Sequence, residues 1–332
     1  MENLRVGVVG AGWVAAVHAH AYRGSPGVEI TVVTDPVVSK AERLAEQTGA
    51  RVVPDVQAVI DAGVDVVDVC TPPYVHADVT IQALEAGLHV ICEKPLARTL
   101  EDARRVAKAA ESATGLLMVG HVSRYEPDHV AAKSLVDEGR IGRLRMVTHS
   151  TTTSLPGWSE AGWLADPAKS GGPLLDQAVH SFDYFGWLTG CPAVRVTAVG
   201  ADTGVGPSTY ALATVRYADD TIACAEVSWG HPPARGFKLA AELVGTQGRL
   251  TWSYDHMMTG VLYPREGAPE WYDALGDRGF RAELRAFTDA IRAGGPSPVP
   301  VADATESLRV ALGALESLHT GRTVDLTTWE TA

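Results

Sequence analysis

Residues 6–21 read VGVVGAGWVAAVHAHA, and the fold follows from how this stretch changes character along its length. An apolar run leads into Gly10-Ala11-Gly12, Ala15 follows three residues on, and an alanine-rich segment of helical composition continues the chain. A G-x-G-x-x-G/A pattern between a strand and a helix is a dinucleotide-binding fingerprint. In it Gly10 permits the tight turn, Gly12 lets the backbone approach a pyrophosphate, and Ala15 keeps helix and sheet close. The helix N-terminus offers its unpaired N–H groups to the phosphates.

Working outward, residues 4–9 and 28–34 (VEITVVT) are β-branched runs short enough for strands buried on both faces, with a helix between them. Asp35 closes the second strand, where a carboxylate accepts hydrogen bonds from the adenosine ribose hydroxyls and repels the extra phosphate of NADP. The pattern therefore favours NAD over NADP. A helix over 39–48 ends at Gly49, and 64–70 (VDVVDVC) reads as a further buried strand running into Thr71-Pro72-Pro73-Tyr74-Val75-His76. Prolines stiffen that loop, which lies at the carboxyl end of a strand, where open α/β sheets bind their ligands. His76 opens a helix to Ala86, and a strand over 88–92 delivers Glu93-Lys94-Pro95 to the same edge, placing Lys94 near the cofactor. A helix over 100–113 and a strand over 116–120 complete a six-strand pattern, so the NAD(P)-binding Rossmann domain is expected to span 1–122.

Residues 123–332 follow another pattern. A helix over 127–138 precedes strands of mixed or alternating polarity near 144–153, 193–200, 209–217, 221–229 and 237–245, which predict an antiparallel sheet with one covered face. Its other face is available as a subunit interface. Helices over 281–293 and 303–319 and a short strand over 323–326 end the chain. The fold class is α/β: an N-terminal doubly wound parallel sheet and, over 123–332, a C-terminal α+β domain with a largely antiparallel sheet.

Residues 170–180 read SGGPLLDQAVH, two glycines closing a loop before a helix from Pro173 to about Leu188. Asp176 and His180 are four apart and share a helical face, which is expected to meet Lys94 across a domain cleft. Oxidising an alcohol carbon with a nicotinamide requires the hydroxyl proton to leave as the carbonyl forms, and histidine, with a pKa near ~6.5, is suited to take it. Lys94 would stabilise the developing alkoxide, while Asp176 would orient the imidazole or hydrogen-bond a neighbouring substrate hydroxyl.

The net charge of −12 leaves no basic face to replace phosphate counterions, which argues against nucleic acid as a partner. Cys70, Cys92, Cys191 and Cys224 stand among apolar neighbours without C-x-x-C spacing, so they are expected to be buried and reduced in a cytoplasmic protein. Neither a signal peptide nor a membrane span is expected from the hydropathy pattern. His18, His20, His121 and His231 are too scattered to specify a metal site, and none is expected. Trp158, Trp163 and Trp229 have flat faces suited to a sugar ring, although tryptophans more commonly serve as core or interface; Trp163, just before Lys169 and the double glycine, is favoured.

The combination of GAGWVA, TPPYVH, EKP and GGPLLDQAVH resembles the family of glucose-fructose oxidoreductase, inositol dehydrogenase and rhizopine-catabolism proteins (Gfo/Idh/MocA) over essentially the whole chain. The resemblance implies a Rossmann domain, an open antiparallel sheet domain, and a cleft holding NAD(P) with a sugar, polyol or related ring. It implies Lys94, Asp176 and His180 as the catalytic trio. It also implies Trp13 and Val14 at the phosphate loop, Thr71, Pro72, His76 and Glu93 around the nucleotide, Arg124 toward the nicotinamide, and Tyr125 and Trp163 on the substrate side. Pro173 and Gln177 depart from glycines frequent in the family. A homodimer or homotetramer through the C-terminal sheet is implied as well. The expected activity is NAD-dependent hydride transfer at a secondary hydroxyl or ketone of a cyclic sugar, inositol or amino-sugar derivative. The same residues permit a redox-neutral elimination or glycoside cleavage, and a sugar-responsive corepressor in the family keeps a non-catalytic sugar/NAD sensor as a third reading.

Overall fold

A computed structural model of the chain describes residues 3–329 apart from 156, 158–159, 205–208, 256–259, 263–269 and 273–278. The chain divides into two compact units, Met1–Val122 with Gly279–Thr305, and Ser123–Arg278 with Glu306–Ala332.

In the first unit the elements run β1 (Leu4–Val9), α1 (Trp13–Arg23), β2 (Val28–Thr34), α2 (Val38–Thr48), β3 (Arg51–Val52), α3 (Val56–Asp61), β4 (Val66–Val69), α4 (His76–Glu85), β5 (His89–Glu93), α5 (Leu100–Ser112) and β6 (Leu117–Gly120). The six strands form one sheet in the order β3-β2-β1-β4-β5-β6, with every pairing parallel. That is the Rossmann order, whose direction reverses between β1 and β4 and opens a crevice outside the strands' carboxyl ends. Helices on both faces bury the sheet, which is why β1 and β4 are apolar runs rather than alternating ones. Only β3 carries no clear run of its own, being two residues long.

The second unit contains α6 (Pro127–Asp137), β7 (Leu144–Thr152), α7 (Pro167–Ser170), α8 (Gly172–Asp176), α9 (Ala178–Thr189), β8 (Ala193–Ala201), β9 (Tyr210–Tyr217), β10 (Ile222–Ser228), β11 (Lys238–Gly245), β12 (Arg249–Asp255), and the paired strands β13 (Gly260–Leu262) and β14 (Glu270–Tyr272). Helix α10 (Phe280–Ala293) belongs to the first unit, α11 (Val301–Thr320) begins there and continues in the second, and β15 (Val324–Asp325) ends the second. The large sheet is ordered β12-β11-β7-β10-β9-β8-β15. It is antiparallel except that β7 and β10 pair in parallel. Alternation along β9 and β11 buries every second residue, as expected for one covered face, and α8 and α9 pack on the central strands β7, β10 and β9 of the sheet.

Two expectations are corrected, the first a helix and the second the burial of two cysteines. Pro173–Leu188 is not one helix: the chain breaks at Gln177, which ends α8 and begins α9 at φ −101°, ψ −46°. The Gln177 amide donates to the Thr151 carbonyl at 2.8 Å, fastening the break to β7. Among the described residues, no helix is long and apolar enough to cross a membrane. All four cysteines are free; Cys70 and Cys92 are buried as expected, whereas Cys191 and Cys224 are only half-buried.

Candidate active site

The glycine turn after β1 is built as its spacing requires. Gly10 sits at φ +92°, and a Cβ there would lie 2.6 Å from the Cys70 carbonyl oxygen, so both backbone conformation and space demand glycine. Gly12 is the N-cap of α1 with extended backbone, no side chain caps the helix, and its first turn carries no acidic residue. A Cβ on Gly12 would meet nothing within 4 Å, so the approach to the helix N-terminus is open. Ala15 is fully buried beneath it. Asp35 accepts the Ala11 N–H through Oδ2 at 2.8 Å and the Val37 N–H through Oδ1 at 2.8 Å, which sets its carboxylate beside the turn. Trp13, 52% exposed, and half-buried Val14 begin the helix. These features fit a dinucleotide: a turn free of side chains, an uncapped helix N-terminus for the phosphates, and a carboxylate for a ribose.

The loops after β4 and β5 reach the same edge of the sheet. Thr71 and Pro72 are half-buried, and His76 is buried with Nδ1 2.8 Å from the Pro95 carbonyl and Nε2 2.7 Å from the Thr71 carbonyl. His76 thereby ties one loop to the other. Burial lowers its pKa despite both carbonyl contacts. Lys94 is half-buried at the end of β5, follows a buried Glu93, and donates its backbone N–H to Glu93 Oε2 at 3.1 Å.

Behind that edge lies a polar cluster not expected from sequence. His18 on α1 places Nδ1 2.9 Å from Asp68 Oδ2 and Nε2 3.2 Å from Glu93 Oε1, and the Cys70 thiol donates to Asp68 Oδ1 at 3.2 Å. Burial works against charge on His18, yet Asp68 and Cys70 outweigh it and raise the imidazole pKa well above its ordinary value. Glu93 is also buried, and His18 and Lys94 hold its carboxyl below the usual range against that burial. The signal was Asp68 itself, an acidic residue inside the run VDVVDVC whose strand is buried throughout.

In the second unit, Gly171 and Gly172 at φ +74° and +65° turn the chain into α8. Asp176, its last residue, and His180, in the first turn of α9, are both half-buried, while Leu174, Leu175, Ala178, Val179 and Phe182 are buried. Next to His180, Ser181 Oγ lies 2.7 Å from His149 Nδ1, anchoring α9 to β7. Arg124, expected toward the nicotinamide, is buried and forms a bidentate pair with Asp183 of α9 at 2.8 and 2.6 Å. Tyr125 and Trp163 are half-buried, Trp229 is core, and Trp158 lies outside the described residues. Lys169 is exposed beside Asp166, at 3.8 Å.

Comparison with known proteins gives this geometry its place. Residues 4–121 match the oxidoreductase family with an NAD-binding Rossmann fold, and residues 129–251 match the GFO/IDH/MocA C-terminal domain. The chain belongs to the Gfo/Idh/MocA oxidoreductase family. Among relatives of this family member, the rhizopine catabolism protein MocA of Rhizobium meliloti is 30% identical over 96% of both chains. A myo-inositol dehydrogenase of Streptomyces leeuwenhoekii is 32% identical over 96% of this chain and 98% of its own. The crystal structure of GenD2 from gentamicin A biosynthesis, in complex with NAD, superposes with a TM-score of 0.88 at 28% identity, covering 98% of this chain and 97% of that one. The protein is an NAD-binding oxidoreductase, and the turn, open helix N-terminus and Asp35 are the parts of it that fit the cofactor.

Proposed function

We propose that this oxidoreductase acts on CH–OH groups, exchanging a hydride between NAD and a secondary hydroxyl or the matching ketone of a cyclic sugar, inositol or amino-sugar derivative. The observation that carries the reading is the coexistence, in a chain of this oxidoreductase family, of a glycine turn and Asp35 built to hold NAD with Lys94 at the carboxyl end of β5. NAD, when bound, accepts the hydride. The protein's own groups handle the proton and the charge. His180 takes the proton from the hydroxyl, since a neutral imidazole is an effective base near neutral pH. The Lys94 ammonium stabilises the alkoxide as it develops, and Asp176 orients the His180 ring or holds an adjacent substrate hydroxyl. Tyr125 and Trp163 supply the substrate side, with Arg124, fixed by Asp183, presenting the segment that carries Tyr125. Thr71, Pro72, His76 and Glu93 shape the nucleotide's surroundings.

In this reading residues 1–122 bind the nucleotide and 123–332 bind substrate and form a homodimer or homotetramer in the cytoplasm. An uncovered sheet face supports the assembly: Met146 and Ile222 stand in register on β7 and β10, and both are exposed. Lys94→Ala and His180→Asn should each lower kcat by about 10²- to 10⁴-fold while NAD binding survives, measured by steady-state kinetics and NAD titration. Unchanged turnover in either variant refutes its assigned role.

A further inference from the structure

Four polar groups meet beneath the carboxyl edge of the Rossmann sheet, where burial makes charge expensive. Asp68, His18 and Glu93 are all buried, and Ile91 pairs with Asp68 on the neighbouring strand. A buried ion pair is weak evidence for stability, because desolvation offsets much of the attraction. Such groups call for another explanation. Their placement supplies one, since each arm of the cluster ends at a different part of the nucleotide edge. His18 is on the helix that begins at Gly12, Asp68 is two residues before Cys70 and the Thr71 loop, and Glu93 directly precedes Lys94.

We propose that His18 is a positioning residue for Lys94. Hydrogen-bonded to Asp68 through Nδ1, it faces the Glu93 carboxylate with Nε2 as an ion-pair contact outside hydrogen-bond geometry. That attraction orients the carboxylate, whose other oxygen receives the Lys94 backbone N–H, and so holds Lys94 in register with the glycine turn. Glu93 thus uses its two oxygens in two directions: Oε1 toward His18 at 3.2 Å and Oε2 toward Lys94 N at 3.1 Å. Other groups facing the cluster are the Cys70 thiol, Tyr22 on the same helix, Phe280 from α10 with its ring centroid 5.6 Å from that of His18, and, beyond Tyr22, buried Glu283. His76 and Lys94 bear on Glu93 from the loop side. This inference rests on the assignment of Lys94 to the reaction.

The test is a double-mutant cycle on the full-length protein, His18→Gln and Glu93→Gln singly and together, with Lys94→Ala run alongside. Each single variant should lower kcat about 10- to 100-fold, the cost of a misplaced group, with substrate KM within about threefold. The double variant should lose no more than Glu93→Gln alone, because His18 acts through Glu93. In His18→Gln the carboxyl of Glu93 keeps its burial but loses its cation, so its pKa rises and the acid limb of the kcat profile moves to higher pH. Glu93→Gln has no carboxyl there and should show no such displacement.

An independent readout is the nitrogen-15 spectrum of labelled histidines in the wild type, in which His18 should keep protons on both ring nitrogens from about pH 6 to 8. A ring that is neutral or titrates near its ordinary value overturns the clamp, and so do multiplicative losses in the double variant. If His18→Gln does not fold, an unaltered kcat in Glu93→Gln overturns the proposal on its own. Should Lys94→Ala keep its turnover, the reaction assignment fails, and the histidine spectrum decides the clamp separately.

Discussion

His18 in the first unit and His149 in the second are both buried, and they end in opposite charge states. At His18 the Asp68 carboxylate at Nδ1, with Cys70 beside it, outweighs burial, so its pKa is raised. His149 has a hydroxyl, Ser181 Oγ, at Nδ1 and another imidazole, His129 Nε2, at 3.3 Å from its Nε2. Burial, with His129 as a like neighbour, lowers its pKa to about 3. Burial alone therefore does not decide whether a histidine is a cation; its partners do. The charged cluster lies behind Lys94, whereas His149 fastens the helix that carries His180.

The comparison breaks most visibly at Asp68. Asp68→Asn removes one carboxylate from a buried imidazolium and should cost about 3 kcal/mol, the lower end for a broken buried pair because Glu93 remains. Urea unfolding followed by hydrogen exchange within the first unit would measure it. The pH response should then separate the two sites by sign. A depressed histidine such as His149 contributes stability that is present above its unfolded pKa and lost as pH falls toward the folded value. Between about pH 6.5 and 5 the wild type should lose roughly 2 kcal/mol that a His149→Gln variant does not lose. A raised histidine behaves oppositely. The stability that His18 contributes is fully present below about pH 6.5 and declines as pH rises through its folded pKa, so the gap between wild type and His18→Gln should narrow above that value. The smallest effect is expected for Ser181→Ala, which removes one neutral buried hydrogen bond and should cost about 1 kcal/mol in denaturant unfolding.

These contrasts also show where sequence reasoning reaches. The parallel sheet was legible because strands buried on both faces must be continuous apolar runs, and Gly10, Gly12 and Asp35 were legible because their roles are local to one βαβ unit. Strands β8 to β11 were legible from alternation. Strand β3 was not, since two residues carry no period, and the parallel pairing of β7 with β10 is a matter of topology. The helix break depends on Gln177 reaching the Thr151 carbonyl, a contact 26 residues away in sequence. The His18 cluster unites positions 18, 68 and 93, and scattered histidines say nothing until Asp68 is noticed as a carboxylate inside a fully buried strand. That clue was present in VDVVDVC. Arg124 shows the opposite case, since its pairing with Asp183 has no local signature.

The most direct test of the account is simultaneous measurement of reduced nicotinamide and product while a panel of inositols, sugars and amino-sugar derivatives is presented with NAD. The account predicts at least one substrate whose ketone accumulates in equal amount with reduced nicotinamide, a signal abolished in Lys94→Ala. Product formed with no net reduced nicotinamide would contradict it in favour of a redox-neutral cycle. Joint binding of NAD and a sugar without any turnover would contradict it in favour of a sensor.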